Sequence, residues 1–121
     1  MQVLIPLVVL FAFAAAAPRS YSVEVLRRAA RGIEDMSEKK QMTIIQQLAA
    51  GLRIHYELNK ELAKHMVRTL TKEFGDAWNV IISPQSGFVY TVAHHRGLIN
   101  FDLPDKYILI YRSWPKPEKK C

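Results

Sequence analysis

The sequence predicts an α+β fold, with two helices packed on a four- to five-stranded antiparallel sheet. Three observations predict it. β-Branched and aromatic runs at residues 78–83, 88–92, 98–103 and 107–111 are separated by turns rich in Pro, Gly and Asp. Two longer stretches, about 38–55 and from 59 to Phe74, repeat apolar residues at the helical period. The gaps between the apolar runs are too short for helical crossovers, so the strands should pair antiparallel.

Length and charge bound what such a fold can be. The chain has 121 residues, half of them hydrophobic, which suits one domain with a modest core. Its net charge of +6 would suit an acidic partner, as in a secreted or surface-exposed basic protein that binds anionic targets, although a charge of this kind more often reflects a solvated surface. Neither the aromatic-basic motif of an RNA-binding sheet nor zinc-finger spacing occurs, so no nucleic-acid partner is expected.

Residues 1–17 carry no charged side chain and end in four alanines. They read as a secretory signal peptide or hydrophobic leader, too short for an ordinary spanning helix, and the remaining chain contains no membrane span. A secreted location follows from that leader. Cysteine usage points the other way, because Cys121 is the only cysteine and can form no intramolecular disulfide.

Taken in order, residues 18–34 form a linker. Tyr21 to Val25 alternates as a short edge strand would, and Arg27 to Arg31 could be a frayed helical turn. Ser37 is a good N-cap, with Glu38 in the first turn to complement the helix dipole. Met42, Ile45, Leu48, Ala49 and Leu52 then give the first helix one buried stripe. Gly51 interrupts it, either to admit a close neighbour or, more simply, as a tolerated surface glycine. Asn59 can cap the second helix, Leu62, Met66, Leu70 and Phe74 form its buried face, and Gly75 stops it. Lys60, Lys64, Arg68 and Lys72 make a basic stripe, read as an anion-binding face or, more simply, as a solvated one.

Within the strands, alternation separates two faces. Ile99, Phe101 and Leu103 should meet the core, whereas Leu98, Asn100 and Asp102 should be exposed or line a surface that another chain covers. Residues 107–111 lack polar alternation and should be central, covered on both faces. The remainder, 114–121, is a Pro-broken basic tail.

No constellation supports catalysis or holds a cofactor. His94 and His95 are neighbours that as strand residues would point to opposite faces and share no metal unless they sit in a distorted turn, His95 to Gly97 being read as a turn, and nothing among His55, His65 and the rest supplies a third and fourth ligand at a recognisable spacing. Ser83, Ser86 and Ser113 lack a nucleophile-elbow context. The chain is therefore read as a non-enzyme.

Asp35, Met36, Ser37 and Glu38, then Tyr56 before the second helix, Ala63 and His65 within it, and Trp78 opening the first long strand, come in an order that resembles the small homodimeric dynein light chains. The resemblance spans about 35–113. It implies a homodimer made by strand exchange, in which each groove between the second helix and the exchanged strand takes an extended peptide as a further strand. Two grooves would clamp two partner chains, the intermediate chain of a cytoplasmic dynein motor among them, on the cytoskeleton.

Carried over position by position, the peptide-pairing edge would be Gly87, Phe88, Val89, Tyr90, Thr91 and Val92. Asn59 and Lys60 would receive a peptide side chain, and Leu98, Asn100 and Asp102 would floor the groove. The family's floor is usually aromatic at those three positions, the residue matching Val92 is usually His, and Ser86 stands where Phe is usual. These departures predict a groove that is weaker for the family's glutamine-containing motif and prefers basic or polar peptides. The histidine that makes family dimers dissociate in acid corresponds to Asn79, so that switch should be missing.

Overall fold

The computed structural model describes residues 21–84 and 94–114. They form α1 (Val23–Ala29), β1 (Ala30–Glu34), α2 (Glu38–His55), α3 (Asn59–Phe74), β2 (Trp78–Ser83), β3 (Leu98–Asp102) and β4 (Tyr107–Arg112). The leader, residues 85–93 with the expected strand 88–92, and the tail from 115, Cys121 included, lie outside the described residues.

Both long helices form where the periodicity places them. The Ser37 hydroxyl oxygen accepts from the Lys40 N–H at 3.2 Å, which caps α2. Ile44, Ile45, Leu48, Ala49 and Leu52 of α2 pack against Leu62, Met66 and Leu70 of α3 and the helix-facing side of the sheet. Ile99, Phe101, Ile108, Ile110 and Trp78 supply that side, so the core lies between one sheet and one helical layer. Gly51 is buried in this layer, contrary to the surface reading. A Cβ there would meet His65 Cδ2 at 2.8 Å and Leu62 Cδ1 at 3.0 Å, so the glycine lets α3 approach α2.

Four antiparallel strands run in the order β1-β3-β4-β2. The neighbours differ from those expected of four strands joined in succession by hairpins. β3 and β4 do form a hairpin, but β4 also takes β2, and the strand beside β3 is β1. As expected, β4 is central; Tyr107, Ile108, Leu109 and Ile110 are all buried. Leu98, Tyr107 and Leu109 make a second, smaller cluster on the face opposite the helices, with Tyr111 against it.

The edge strand occurs later than the alternation at 21–25 suggests. Ser22 caps a helix instead, its hydroxyl oxygen accepting from the Val25 N–H at 3.2 Å, and Leu26 alone of that turn is buried. The chain then straightens into β1, where Gly32 faces Asn100 next to an irregularity in register. Among the described residues three helices therefore cover the sheet, one more than the two expected. Among the described residues, no helix is long and apolar enough to cross a membrane.

Candidate functional site

The start of α3 is built by residues far apart in sequence. Leu58 occupies the cap position and makes no side-chain cap bond, so Asn59 is the first helical residue and not the cap. Its side chain is used elsewhere, because the Lys106 ammonium donates to Asn59 Oδ1 at 3.0 Å and also to the Tyr56 carbonyl oxygen. Lys106 is only 4% exposed and lies 4.5 Å from the Tyr56 ring centroid, where the ring face offsets part of its lost hydration. Burial pushes its pKa below the ordinary lysine value, against the raising effect of Asp105 and Glu57.

Asp105 completes the cluster. Its carboxylate accepts from the Tyr21 hydroxyl at 3.0 Å and from the Tyr56 hydroxyl, whose rings stack at 6.1 Å. Burial raises the Asp105 pKa, but the two hydroxyls, its own backbone and Lys106 together bring it below the ordinary carboxylate value. The Tyr21 hydroxyl is pushed well above its usual range, by burial first and then by Tyr56 and Asp105. Together these residues fasten the segment before α1, the α2–α3 turn and the β3–β4 turn to one another.

Lys60 is exposed one residue into α3. Leu58 supplies no side-chain cap to the first backbone N–H groups of α3. The expected floor residues all lie on β3, on the face turned away from the helices. Leu98 is 3% exposed and belongs to the small second cluster, so it is covered rather than open. Asn100 is half-buried and lies over β1, where a Cβ on Gly32 would meet its Nδ2 at 2.6 Å. Asp102 is half-buried and engaged within the protein. Gly87, Phe88, Val89, Tyr90, Thr91 and Val92 are outside the described residues.

Asn79 is half-buried on β2, and its amide donates to the Ala77 carbonyl and to the Ser113 hydroxyl, both at 3.2 Å. His95 sits in the turn before β3, as expected, with Nε2 2.9 Å from Glu34 and Nδ1 accepting from the Gly97 N–H. His55 and His65 face each other with ring centroids 5.6 Å apart. Among the described residues, no group of three or more His, Cys, Asp or Glu side chains could hold a metal ion.

Sequence reasoning missed Lys106, Asp105 and Tyr21. Their partners are 47 to 84 residues away, and a Pro-Asp-Lys turn gives no local sign that its lysine is buried.

The comparisons agree with this architecture. No curated protein matches the chain. Two solved structures, a mercury derivative and a native crystal, both show the dynein light chain-like domain of the Fasciola hepatica calcium binding protein FhCaBP2. Each is similar at 20% identity and a TM-score of 0.56, covering 69% of this chain and 93% of that one. At that identity the likeness speaks for the fold. The profile of the family described as dynein light chain type 1 matches residues 31–113, from β1 through β4, and by that match over most of its length the chain belongs to the dynein light chain type 1 family.

Proposed function

We propose that the protein is a non-catalytic dimeric adaptor that holds extended segments of partner proteins by β-strand addition. The observation that carries this reading is the pairing of the β2 sheet edge with an uncapped helix start. Among the described residues β2 pairs with β4 on one side, and in this reading an exchanged strand takes its other side. The N-terminus of α3 offers backbone N–H groups beside Asn59 and Lys60. A peptide laid between the exchanged strand and the start of α3 would gain main-chain hydrogen bonds from that strand and selectivity from side chains.

In this reading Gly87 to Val92 form the exchanged edge, and Leu98, Asn100 and Asp102 the floor. Family membership extends the proposal to service as an accessory subunit of a dynein motor in the cytoplasm, through its intermediate chain. Sedimentation equilibrium of residues 18–121 under reducing conditions tests the assembly, because reduction excludes a dimer held only by Cys121. The expected result is a dimer that binds members of an extended-peptide array. A monomer would leave the composite groove unassembled and overturn the proposal.

A further inference from the structure

α3 packs against β2 on one flank and against α2 on the other, and the seam with α2 carries a hollow that neither helix makes alone. Its volume is ≈ 360 Å³, and it is lined by His55 at the end of α2 and by His65, Arg68, Thr69 and Lys72 of α3. No carboxylate belongs to that lining. Among the described residues, neither Arg68 nor Lys72 makes an ion pair. The Thr69 hydroxyl proton is directed at the His65 and Met66 carbonyls, 3.0 and 3.1 Å away, so the other four residues supply the outward donors.

Gly51 creates the arrangement. Only a residue without a Cβ lets the His65 ring lie against α2, and the His55 and His65 rings then stand 5.6 Å apart. The charged or titratable groups acting on His65 are His55 from α2 and Arg68 from α3, and both oppose its protonation, as burial does. Like charges gathered in this seam repel one another, and an anion seated among them would remove that repulsion. At the low end of the roughly 300–1,000 Å³ usual for small-molecule sites, the hollow suits a small anion rather than a macromolecule.

We propose that this seam between α2 and α3 binds a phosphate-class oxyanion, either free or as the phosphoryl end of a small molecule. Arg68 offers a planar fork and Lys72 a point charge to its oxygens. The two imidazoles take up protons from solvent as the anion enters, so affinity rises as pH falls. No dimer and no peptide groove enters this inference, and α3 itself stands between the seam and β2.

Sulfate is the first probe, because it stays divalent between pH 5.5 and 7.5 and any pH dependence then belongs to the protein. It is titrated into the isotope-labelled full chain in reducing buffer, with sodium chloride holding the ionic strength constant, and followed by NMR. The largest shifts should fall at His55, His65, Arg68 and Lys72. The Kd should be on the order of 1 mM at pH 5.5 and about fivefold weaker at pH 7.5, as expected of exposed cations. Arg68→Gln with Lys72→Gln should weaken binding about tenfold, whereas Arg31→Gln with Lys39→Gln, exposed positions away from the seam, should leave it within about twofold. His55→Gln should flatten the pH dependence. Circular dichroism of each variant confirms that the fold is retained. Inorganic phosphate and phenyl phosphate at pH 7.5 then separate the two sources: binding of the first alone assigns a free anion, and binding of both assigns a phosphoryl-bearing molecule. Shifts spread evenly over the surface cations, equal affinity at the two pH values, or an affinity indifferent to Arg68 and Lys72 would each overturn the site. Capture of an oligonucleotide or an anionic vesicle through the same residues, without sulfate or phosphate competing, would overturn the small-anion assignment.

Discussion

The Lys106 ammonium lies 3.0 Å from the side-chain oxygen of Asn59, a residue 47 positions earlier, and it does so almost completely buried. This bond ties the β3–β4 turn to the first residue of α3. The end of α3 assigned to ligand recognition is therefore held by a residue that is itself inaccessible.

Lys106→Met should destabilise the fold by about 1 kcal/mol. The lost donor leaves the Tyr56 carbonyl and Asn59 Oδ1 without their partner, which typically costs about 1–3 kcal/mol. Removing a buried ammonium offsets part of that. In a double-mutant cycle with Asn59→Ala, read by urea denaturation, the coupling should be about 1 kcal/mol. Strict additivity would show that the bond contributes nothing in solution.

Gly51→Ala sets helix propensity against packing. Alanine should favour α2 by about 1 kcal/mol, but its Cβ meets His65 and Leu62 at 3.0 Å or less, and overpacking typically costs about 1–3 kcal/mol. A net loss of about 1 kcal/mol is expected, most of it recovered in a His65→Ala background. A stabilised single variant would mean that the His65 ring moves aside freely.

Gly51 also shows how far sequence carries this fold. The repeats in α2 and α3 and the face separation in β3 were legible because each depends on period alone. The burial of Gly51 depends on which helix lies across it, and period does not contain that. β1 was illegible for a related reason: Ala30, Arg31, Gly32, Ile33 and Glu34 lack alternation, and the strand exists through its pairing with β3. Asn59 was legible as a residue at a helix start, but its role as an acceptor for Lys106 was not, since the partner arrives from the opposite end of the domain.

Acid should destabilise the protein through His65. Burial lowers its pKa, with His55 and Arg68 adding to the shift, and among the described residues Nε2 has no hydrogen-bond partner. In the unfolded chain the ring titrates near its ordinary value of about 6.5. Below that pH the unfolded state binds a proton that the folded state resists, so stability is full above about pH 6.5 and falls until the pH passes the lowered folded pKa. Urea midpoints between pH 7.5 and 5 should drop more for the natural chain than for His65→Gln. Parallel profiles would remove His65 as the cause.

Asn79 carries the last prediction, because assembly and unfolding must be separated in acid. Its amide is fixed by the Ala77 carbonyl and the Ser113 hydroxyl, and the Ala77 carbonyl also accepts from the Ser113 N–H at 2.9 Å. None of these groups titrates between pH 5 and 7. If the dimer forms through the β2 edge, its dissociation constant at pH 5.5 should stay within about threefold of that at pH 7.5 wherever circular dichroism shows the fold intact. Asn79→His places a titratable ring at that edge, and there the dimer should weaken in acid by tenfold or more, since a buried imidazolium is poorly tolerated. Sedimentation of both proteins at the two pH values decides the matter. A natural dimer that dissociates while still folded would mean that another group, with His55 and His65 the first to replace, senses protons at the interface.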